Sequence, residues 1–237
     1  MVQAAIPPRP THNRLLAALP RETVERLLPY LELMMFARGT VLYEPHHAPA
    51  YLYFPTTLIV SLVYTMGNGA TAEMGIVGNE GVLGIALFLG GQTRPNQAVV
   101  QVAGNALRLP AIVLHTEFQR GADLQRALLH YTQALLTQIS QTAVCNQLHP
   151  LEQRLCRWLL LICDRARTDT VELTHEFLGH MLGVRRESIT VAAGHLQALG
   201  VIRYNRGRVV LLDRPGLERL GCECYRVVMD EYTRLLE

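Results

Sequence analysis

Two short helical patterns separated by a glycine constrain the fold of this chain most, and both lie in the segment Leu173–Leu212. The first pattern covers Thr174–Leu182 and begins with a threonine, a residue type that caps helix N-termini. Gly183 follows, at a position where a left-handed turn requires glycine. The second pattern runs from about Arg185 to Leu199. Its apolar residues share one face: Ile189, Ala192, Ala193, Leu196 and Leu199. Two helices joined by so short a turn are typical of a helix-turn-helix motif.

The opposite face of the second helix is small and mixed in polarity, as a helix that enters the major groove of DNA requires. The first residues of such a helix reach base edges. An arginine can donate two parallel hydrogen bonds to guanine and a glutamate can accept one from cytosine, whereas Val191 offers only an apolar contact. We therefore predict contacts with double-stranded DNA from Thr174, Arg185, Arg186, Glu187, Ser188, Thr190 and Val191.

After Gly200 the pattern changes from helical to alternating, which indicates two short strands, Val201–Tyr204 and Arg208–Leu211. The turn signal Asn205-Arg206-Gly207 separates them. Phosphate contacts carry most of the affinity for DNA and little sequence information. We predict that this hairpin contacts phosphates through Arg203, Arg206 and Arg208.

This segment resembles the C-terminal domain of the Crp/Fnr family of bacterial transcription regulators. In that family the DNA-reading helix commonly opens with V-S-R-E-[TS]-[VI], and here the run is Val184–Ile189, VRRESI. The match places Arg186 and Glu187 on the family's base-contacting arginine and glutamate. Arg185 replaces the usual capping serine, and Val191 stands where some members have a second base-reading arginine. The resemblance implies DNA binding and leaves the operator sequence open.

A second region, from Leu33 to about Leu109, contains short β-branched and aromatic runs punctuated by glycine and proline. The predicted strands are Met34–Phe36, Thr40–Tyr43, Tyr51–Phe54, Leu58–Thr65, Thr71–Val77, Ala98–Val102 and Ala106–Leu109. Strands at this spacing predict a jelly roll. The region resembles the cyclic-nucleotide-binding β-roll of the same family through Gly81–Gly91, GVLGIALFLGG, followed by Ala98-Val99-Val100.

The ligand cassette of that β-roll is degenerate in this chain. Nucleotide-binding members have a Gly-Glu pair for the ribose and an Arg-Ser pair for the cyclic phosphate. Here Ile85 follows Gly84, and Asn96 and Gln97 precede Ala98. A buried phosphate without a bidentate arginine costs several kcal/mol, and Arg94 has no ribose-binding acid beside it. We predict no response to cyclic AMP, no cofactor and an unidentified effector. The effector pocket is predicted at Gly84, Ile85, Arg94, Asn96 and Gln97.

The segment Ile112–His149 has apolar residues at every third or fourth position, which predicts a long amphipathic helix. Its stripe consists of Leu124, Leu128, Tyr131, Leu135 and Ile139. The pattern alone is compatible with an intramolecular core or with a helix–helix contact between two chains. The resemblance implies the second, a homodimer whose paired helices read half-sites about 34–36 Å apart. It also implies contact with RNA polymerase.

Composition and cysteine usage limit the classes of protein further. The net charge is +2, so any nucleic-acid interface must be local. No apolar stretch approaches the length of a membrane span, and the N-terminus lacks the apolar core of a signal peptide. Five cysteines predict reduced thiols and a cytoplasmic protein with no membrane partner. Cys222 and Cys224 are predicted on different faces of one final helix, so no metal site is expected.

Together these patterns predict an α+β chain with an N-terminal jelly-roll β-barrel, a long dimerisation helix and a C-terminal winged helix-turn-helix. The predicted boundaries are 1–20 for the tail and start of the first helix, 21–113 for the sensor β-roll, 114–148 for the dimerisation helix, 149–214 for the DNA-binding domain and 215–237 for a C-terminal helix. No catalytic motif is present, which favours a regulator over an enzyme. Two alternatives stay open: a regulator that needs no effector, and a ligand- or protein-binding module with a vestigial winged helix.

Overall fold

The computed structural model describes residues 10–47, 49–90 and 96–236. They divide into two compact units, which are considered separately. The first comprises the described residues before Ser61, together with Val77–Gln133 and the last residues of the final helix. The second comprises Ser61–Ile76 and Ala134–Arg234.

The first unit begins with short helices and continues into strands. Its helices are α1 (Arg14–Ala17) and α2 (Arg21–Leu27), with 3-10 turns at Pro10–His12, Leu28–Tyr30 and Ile85–Leu87. The strands of the β region are β1 (Glu32–Phe36), β2 (Val41–Tyr43), β3 (Tyr51–Pro55), β4 (Ile59–Thr65), β5 (Thr71–Val77), β6 (Gln97–Val102) and β7 (Gly104–Pro110). Most of β4 and of β5 belongs to the second unit. Then follow α3 (Ala111–Gln119) and the long α4 (Ala122–Leu148), whose second half belongs to the other unit.

The strands form two sheets. One has the order β1-β7-β3, with antiparallel partners such as Met34 with Ala106 and Phe54 with Leu107. The other has the order β2-β6-β4-β5. All seven predicted strands are present with ends displaced by at most two residues. The predicted fold class, antiparallel sheets followed by a long helix and a helix-turn-helix, is confirmed.

Asn13 anchors α1 to the β region. Its side chain caps the helix by accepting a hydrogen bond from the Leu16 amide at 3.1 Å. Its amide nitrogen also donates to the carbonyls of Pro55 and Gly81, each at 2.9 Å. The residue is fully buried, so these bonds satisfy its polar atoms away from water.

The second unit continues α4 and adds α5 (Leu151–Ala166), β8 (Thr170–Glu172), α6 (His175–Leu182), α7 (Arg186–Ala198), β9 (Ile202–Asn205), β10 (Arg208–Leu211), α8 (Arg214–Leu220) and α9 (Cys224–Leu236). Strands β8, β10 and β9 form an antiparallel sheet in that order. Strand β8, which has only three residues, was not predicted from the sequence. Trp158 on α5 is buried, and its ring meets that of Phe177 edge-on.

The prediction of one continuous C-terminal helix is wrong. Helix α8 ends at Leu220, and Gly221 adopts an extended conformation with φ −71° and ψ 174°. Glycine is a poor helix former, and its backbone is free to leave the helical conformation. The chain restarts as α9 only at Cys224, so Cys222 and Glu223 lie in a break between two helices.

No helix within the described residues is long and apolar enough to cross a membrane.

Candidate nucleic-acid interface

Helices α6 and α7 pack against each other across the predicted turn. The Thr174 side chain caps α6 by accepting from the Phe177 amide at 3.1 Å. Gly183 ends the helix with φ 65°, the left-handed conformation that the sequence predicted. Gly179 allows the close approach of the chain after the turn, because a Cβ there would lie 2.9 Å from the Val184 carbonyl oxygen.

The buried face of α7 is the predicted one except at its end. Ile189, Ala192, Ala193 and Leu196 are all buried. Leu199 is 50% exposed, because the helix ends at Ala198 and Leu199 is its C-cap residue.

The opposite face of α7 is open to solvent. The predicted base-contacting residues are all exposed: Arg185, Arg186, Glu187, Ser188, Thr190 and Val191. Val191 is 71% exposed although it is apolar. A side chain added at Gly194, on the same face, would meet no atom within 4 Å. Arg185 is the N-cap of α7 and provides no side-chain cap, so the first amides of this helix keep their capacity to bind an anion.

A hydrogen-bonded and stacked group joins α6, α7 and β9. The Thr190 hydroxyl lies 2.9 Å from Nδ1 of His175 and donates to the Arg186 carbonyl at 3.1 Å. The His175 ring stacks on Tyr204 with centroids 4.1 Å apart. The Tyr204 hydroxyl donates to the Leu173 carbonyl at 3.0 Å. Burial, together with the positive charge of Arg186, lowers the pKa of His175, which favours the neutral ring.

The group places His175 and Tyr204 beside the predicted contact residue Thr190. Neither was predicted from the sequence, because contacts between residues 29 positions apart leave no periodic signal. Thr190, predicted as a DNA contact, is exposed and is also tied to His175.

The hairpin of β9 and β10 presents arginines beside the helix pair. Arg206 and Gly207 occupy its turn with φ 47° and φ 79°, the conformation typical of a tight hairpin. Arg203 and Arg208 are exposed on its strands, as is Arg206 at the turn. The Gly207 carbonyl accepts from the Leu173 amide at 2.6 Å, which holds the turn against the start of the helix pair.

The exposed arginines of α7 and the hairpin are not neutralised by ion pairs among the described residues. Within the described part of the chain, no carboxylate forms an ion pair with any of these five side chains: Arg185, Arg186, Arg203, Arg206 and Arg208. Several other arginines of the second unit are paired, for example Arg214 with Asp164 and Arg234 with Glu231. Positive charge without an internal partner therefore concentrates on α7 and the hairpin.

Comparison with known proteins places this geometry in a family. Residues 153–220 match the family model of the Crp-like helix-turn-helix domain. This segment is a Crp-like helix-turn-helix domain. The Crp-like domain thus includes α5, both helices of the motif and the hairpin.

Solved structures extend the likeness from the Crp-like domain to the fold of the chain. FixK2 from Bradyrhizobium japonicum has a TM-score of 0.70 at 17% identity, covering 81% of this chain and 98% of its own. A putative Crp/Fnr-family regulator from Eubacterium rectale has a TM-score of 0.69 at 16% identity, with coverages of 89% and 98%. The c-di-GMP-responsive regulator CLP of Xanthomonas campestris has a TM-score of 0.68 at 18% identity, with coverages of 81% and 99%.

These TM-scores establish a shared fold, and the resemblance to Crp/Fnr regulators is confirmed at that level. A comparison with curated proteins gave no match.

The residues predicted for the effector pocket lie outside the Crp-like domain. Gly84 is buried with φ 106° and precedes a 3-10 turn, in which Ile85 is half-buried. Asn96 is buried, and Gln97 begins β6. Arg94 lies outside the described residues. The pocket and its effector stay predictions.

The residues predicted for the dimer interface need correction. The side chains of Leu124, Leu128, Tyr131 and Leu135 are each at most 2% exposed within the single chain, and Ile139 is half-buried. Tyr131 packs so tightly on Gly81 that a Cβ there would lie 2.2 Å from its ring. Because the chain itself covers these four side chains, a second copy cannot contact them. They are intramolecular core, the alternative that the pattern left open, whereas Ile139 keeps part of its surface exposed.

Proposed function

We propose that this protein is a transcription regulator of the Crp/Fnr type that binds specific double-stranded DNA as a homodimer. The observation that carries the proposal is the exposed N-terminal turn of α7, where Arg186 and Glu187 have no internal ion-pair partner among the described residues. Such a pair can read a guanine and a cytosine by direct hydrogen bonds. Val191 adds an exposed apolar contact suited to a thymine methyl group.

The hairpin contributes affinity in this proposal. Arg203, Arg206 and Arg208 provide positive charge for phosphates beside the groove that α7 enters. With a net charge of only +2, the protein depends on this local concentration of arginine to bind a polyanion.

Dimerisation is assigned to the exposed face of α4. Its apolar members, Leu129, Leu136, Val144 and Leu148, are between 44% and 71% exposed in the single chain. They recur at intervals of seven, eight and four residues along one helix, which is close to the repeat of a two-stranded coiled coil. Two copies joined along this face would present two α7 helices to a palindromic operator.

The signal that controls binding is proposed to be something other than cyclic AMP. Ile85 occupies the position of the ribose-binding glutamate, and Asn96 and Gln97 occupy those of the phosphate-binding pair. Contact with RNA polymerase, which the family resemblance implies, is part of the same proposal.

Selection of bound fragments from a random DNA pool, with and without cyclic AMP, tests this function. We expect one palindrome to be enriched equally in both conditions. Enrichment only with cyclic AMP would contradict our interpretation of Ile85, Asn96 and Gln97. No enrichment at any salt concentration would favour a protein-binding module with a vestigial winged helix.

A further inference from the structure

Three cysteines and one histidine converge at the C-terminal end of α4, within the second unit. Cys145 lies in the last turn of α4 and His149 directly follows the end of that helix, while Cys222 lies in the break between α8 and α9 and Cys224 is the first residue of α9. Their ligating atoms all lie within 4.8 Å of one another. The three thiols are buried and His149 is half-buried.

The break between α8 and α9 creates this cluster. On a continuous helix, Cys222 and Cys224 would point about 200° apart and could not share a ligand. The extended backbone at Gly221 redirects the chain, so that both thiols face the end of α4. A Cβ at Gly221 would lie 3.3 Å from the Leu217 carbonyl oxygen and 3.6 Å from Cβ of Cys156, so a larger residue fits poorly there.

The distances fit the edges of a metal tetrahedron. Sγ of Cys145 lies 3.5 Å from Sγ of Cys222, and Sγ of Cys224 lies 3.6 Å from Nδ1 of His149. Tetrahedral zinc, with bonds of about 2.3 Å to sulfur and 2.0 Å to nitrogen, separates two sulfurs by about 3.8 Å and sulfur from nitrogen by about 3.5 Å. The ligand set Cys3His is a common structural zinc site.

We propose that Cys145, His149, Cys222 and Cys224 bind a single zinc ion. A disulfide is a poorer description of the cluster, since it uses two of the four groups and requires sulfurs about 2.05 Å apart. The compact spacing of all four atoms fits one ion better than a multi-iron cluster, in which the ligands are divided among several irons.

The histidine is oriented as a zinc ligand requires. Its Nδ1 faces the thiols, and its Nε2 lies 3.4 Å from Oε2 of Glu223. A histidine ligand commonly donates its other N–H to a carboxylate, which fixes the tautomer and strengthens the bond to the metal. Glu223 is exposed and sits between the two cysteines in sequence, so its proximity to His149 follows from the same break in the helix.

A buried positive charge balances the charge of the site. Three thiolates and Zn²⁺ carry a net charge of −1, which is costly to bury alone. Arg157 on α5 is 3% exposed and acts electrostatically on Cys145 and Cys224. Its Nη1 donates to the Thr142 hydroxyl at 3.2 Å, and its Nε has no hydrogen-bond partner among the described residues. An anionic zinc centre nearby would add a counter-charge for this arginine.

The bound ion would join the end of α4 to the connection between α8 and α9. This link lies next to the junction of α4 and α5 at His149-Pro150, so zinc fixes the C-terminal helices of the unit against the long helix. Zinc binding to the folded form alone raises its stability. The proposal is independent of DNA binding.

Metal content and cobalt substitution of the full chain test the site. Protein purified under reducing conditions from zinc-replete medium should contain about one zinc per chain by elemental analysis. The metal-free, reduced protein should bind one equivalent of Co²⁺, with thiolate charge-transfer absorption and the intense visible bands of a tetrahedral ion. Zinc should then displace the cobalt.

Substitutions locate the ligands. Cys222→Ser should abolish the charge-transfer band or weaken Co²⁺ binding at least 100-fold, whereas Cys163→Ser, a buried cysteine outside the cluster, should leave binding unchanged. Glu223→Gln changes an exposed side chain and preserves folding, and it should weaken metal binding by about 10- to 100-fold. Asp230→Asn, an exposed change on α9, is its matched control.

Three results would overturn the proposal. The first is a reduced wild-type protein that contains no zinc and binds no Co²⁺. The second is an unchanged cobalt spectrum in Cys222→Ser, and the third is a Cys145–Cys222 disulfide in protein isolated with zinc present. A circular dichroism spectrum of each variant separates loss of ligand from loss of fold.

Discussion

His175 stacks on Tyr204 with ring centroids 4.1 Å apart, and this contact joins the first residue of α6 to the strand β9. Thr190 on α7 completes the group through its hydroxyl, 2.9 Å from the histidine ring. The three residues therefore link the helix pair to the hairpin. In the proposed complex α7 and the hairpin contact the same stretch of DNA, so this link would set the spacing between the side chains proposed to read bases and those proposed to bind phosphates.

Removal of the Tyr204 hydroxyl should loosen the hairpin without removing the ring stack. The hydroxyl donates to the Leu173 carbonyl at 3.0 Å, a contact worth about 1 kcal/mol. Tyr204→Phe should lower the free energy of unfolding of the protein by about that amount in urea titrations. Tyr204→Ala should cost more, because the stack with His175 is lost as well. Equal stability of the phenylalanine variant and the wild type would show that the bond contributes nothing.

Loss of one hairpin arginine should weaken binding to all DNA sequences alike. Arg203→Gln removes an exposed charge on β9. We expect the slope of log Kd against log salt concentration to become shallower by about one. The loss of affinity should be equal for operator and unrelated DNA. Arg219→Gln, on α8 outside the motif and the hairpin, is the control and should leave the slope unchanged. A loss confined to the operator would mean that Arg203 reads bases.

A charge on the exposed face of α4 should dissociate the dimer. Leu136 is 57% exposed in the single chain, so Leu136→Glu should preserve the fold of each subunit. Burying two carboxylates against each other at a dimer interface is strongly unfavourable. Sedimentation should therefore show a monomer for this variant. Asn146→Glu places the same charge on an exposed position off the apolar face and should stay dimeric. A dimer in both variants would contradict the assignment of this face.

The buried Glu73 should make stability depend on pH. Burial raises its pKa from 4.5 to about 7, despite hydrogen bonds from Ser61 and Trp158 and the charges of Arg157 and Arg165. Between these values the folded protein holds more protons than the unfolded chain, so the free energy of unfolding falls as pH rises from about 4.5 to about 7.

Glu73→Gln removes this titration, so its stability relative to wild type should increase with pH across that window. The change should be on the order of 3 kcal/mol and complete above pH 7. Urea denaturation at pH 5 and pH 8 measures it. A difference between variant and wild type that is the same at both pH values would show that Glu73 titrates normally.

Local patterns were sufficient to predict much of this fold. Strand propensity with glycine punctuation identified seven strands of the β region, and helical periodicity with Gly183 identified both helices of the motif. The exposure of Arg186 and Glu187 followed from the buried register of α7. In each case the deciding signal lies within a few residues of the element that it describes.

Features that depend on distant residues were missed or assigned wrongly. An apolar stripe on α4 is expected whether the same chain or a second chain packs against it. The sequence therefore did not indicate that Tyr131 contacts Gly81 of its own chain. The sequence also predicted one helix that continues through Gly221 and places Cys222 and Cys224 on different faces. Because of that prediction, their cluster with Cys145 was not foreseen. The cover of the stripe and the formation of the cysteine cluster both depend on contacts between residues far apart in sequence.

Arg186→Ala is the sharpest test of whether α7 reads DNA. Affinity of the wild type and the variant for the selected palindrome should be measured by fluorescence anisotropy at one salt concentration, beside an unrelated duplex. We predict that the variant stays folded and dimeric and loses about 1–3 kcal/mol of operator binding, with a smaller loss on unrelated DNA. Unchanged operator affinity in the folded variant would contradict the assignment of α7 as the DNA-reading helix.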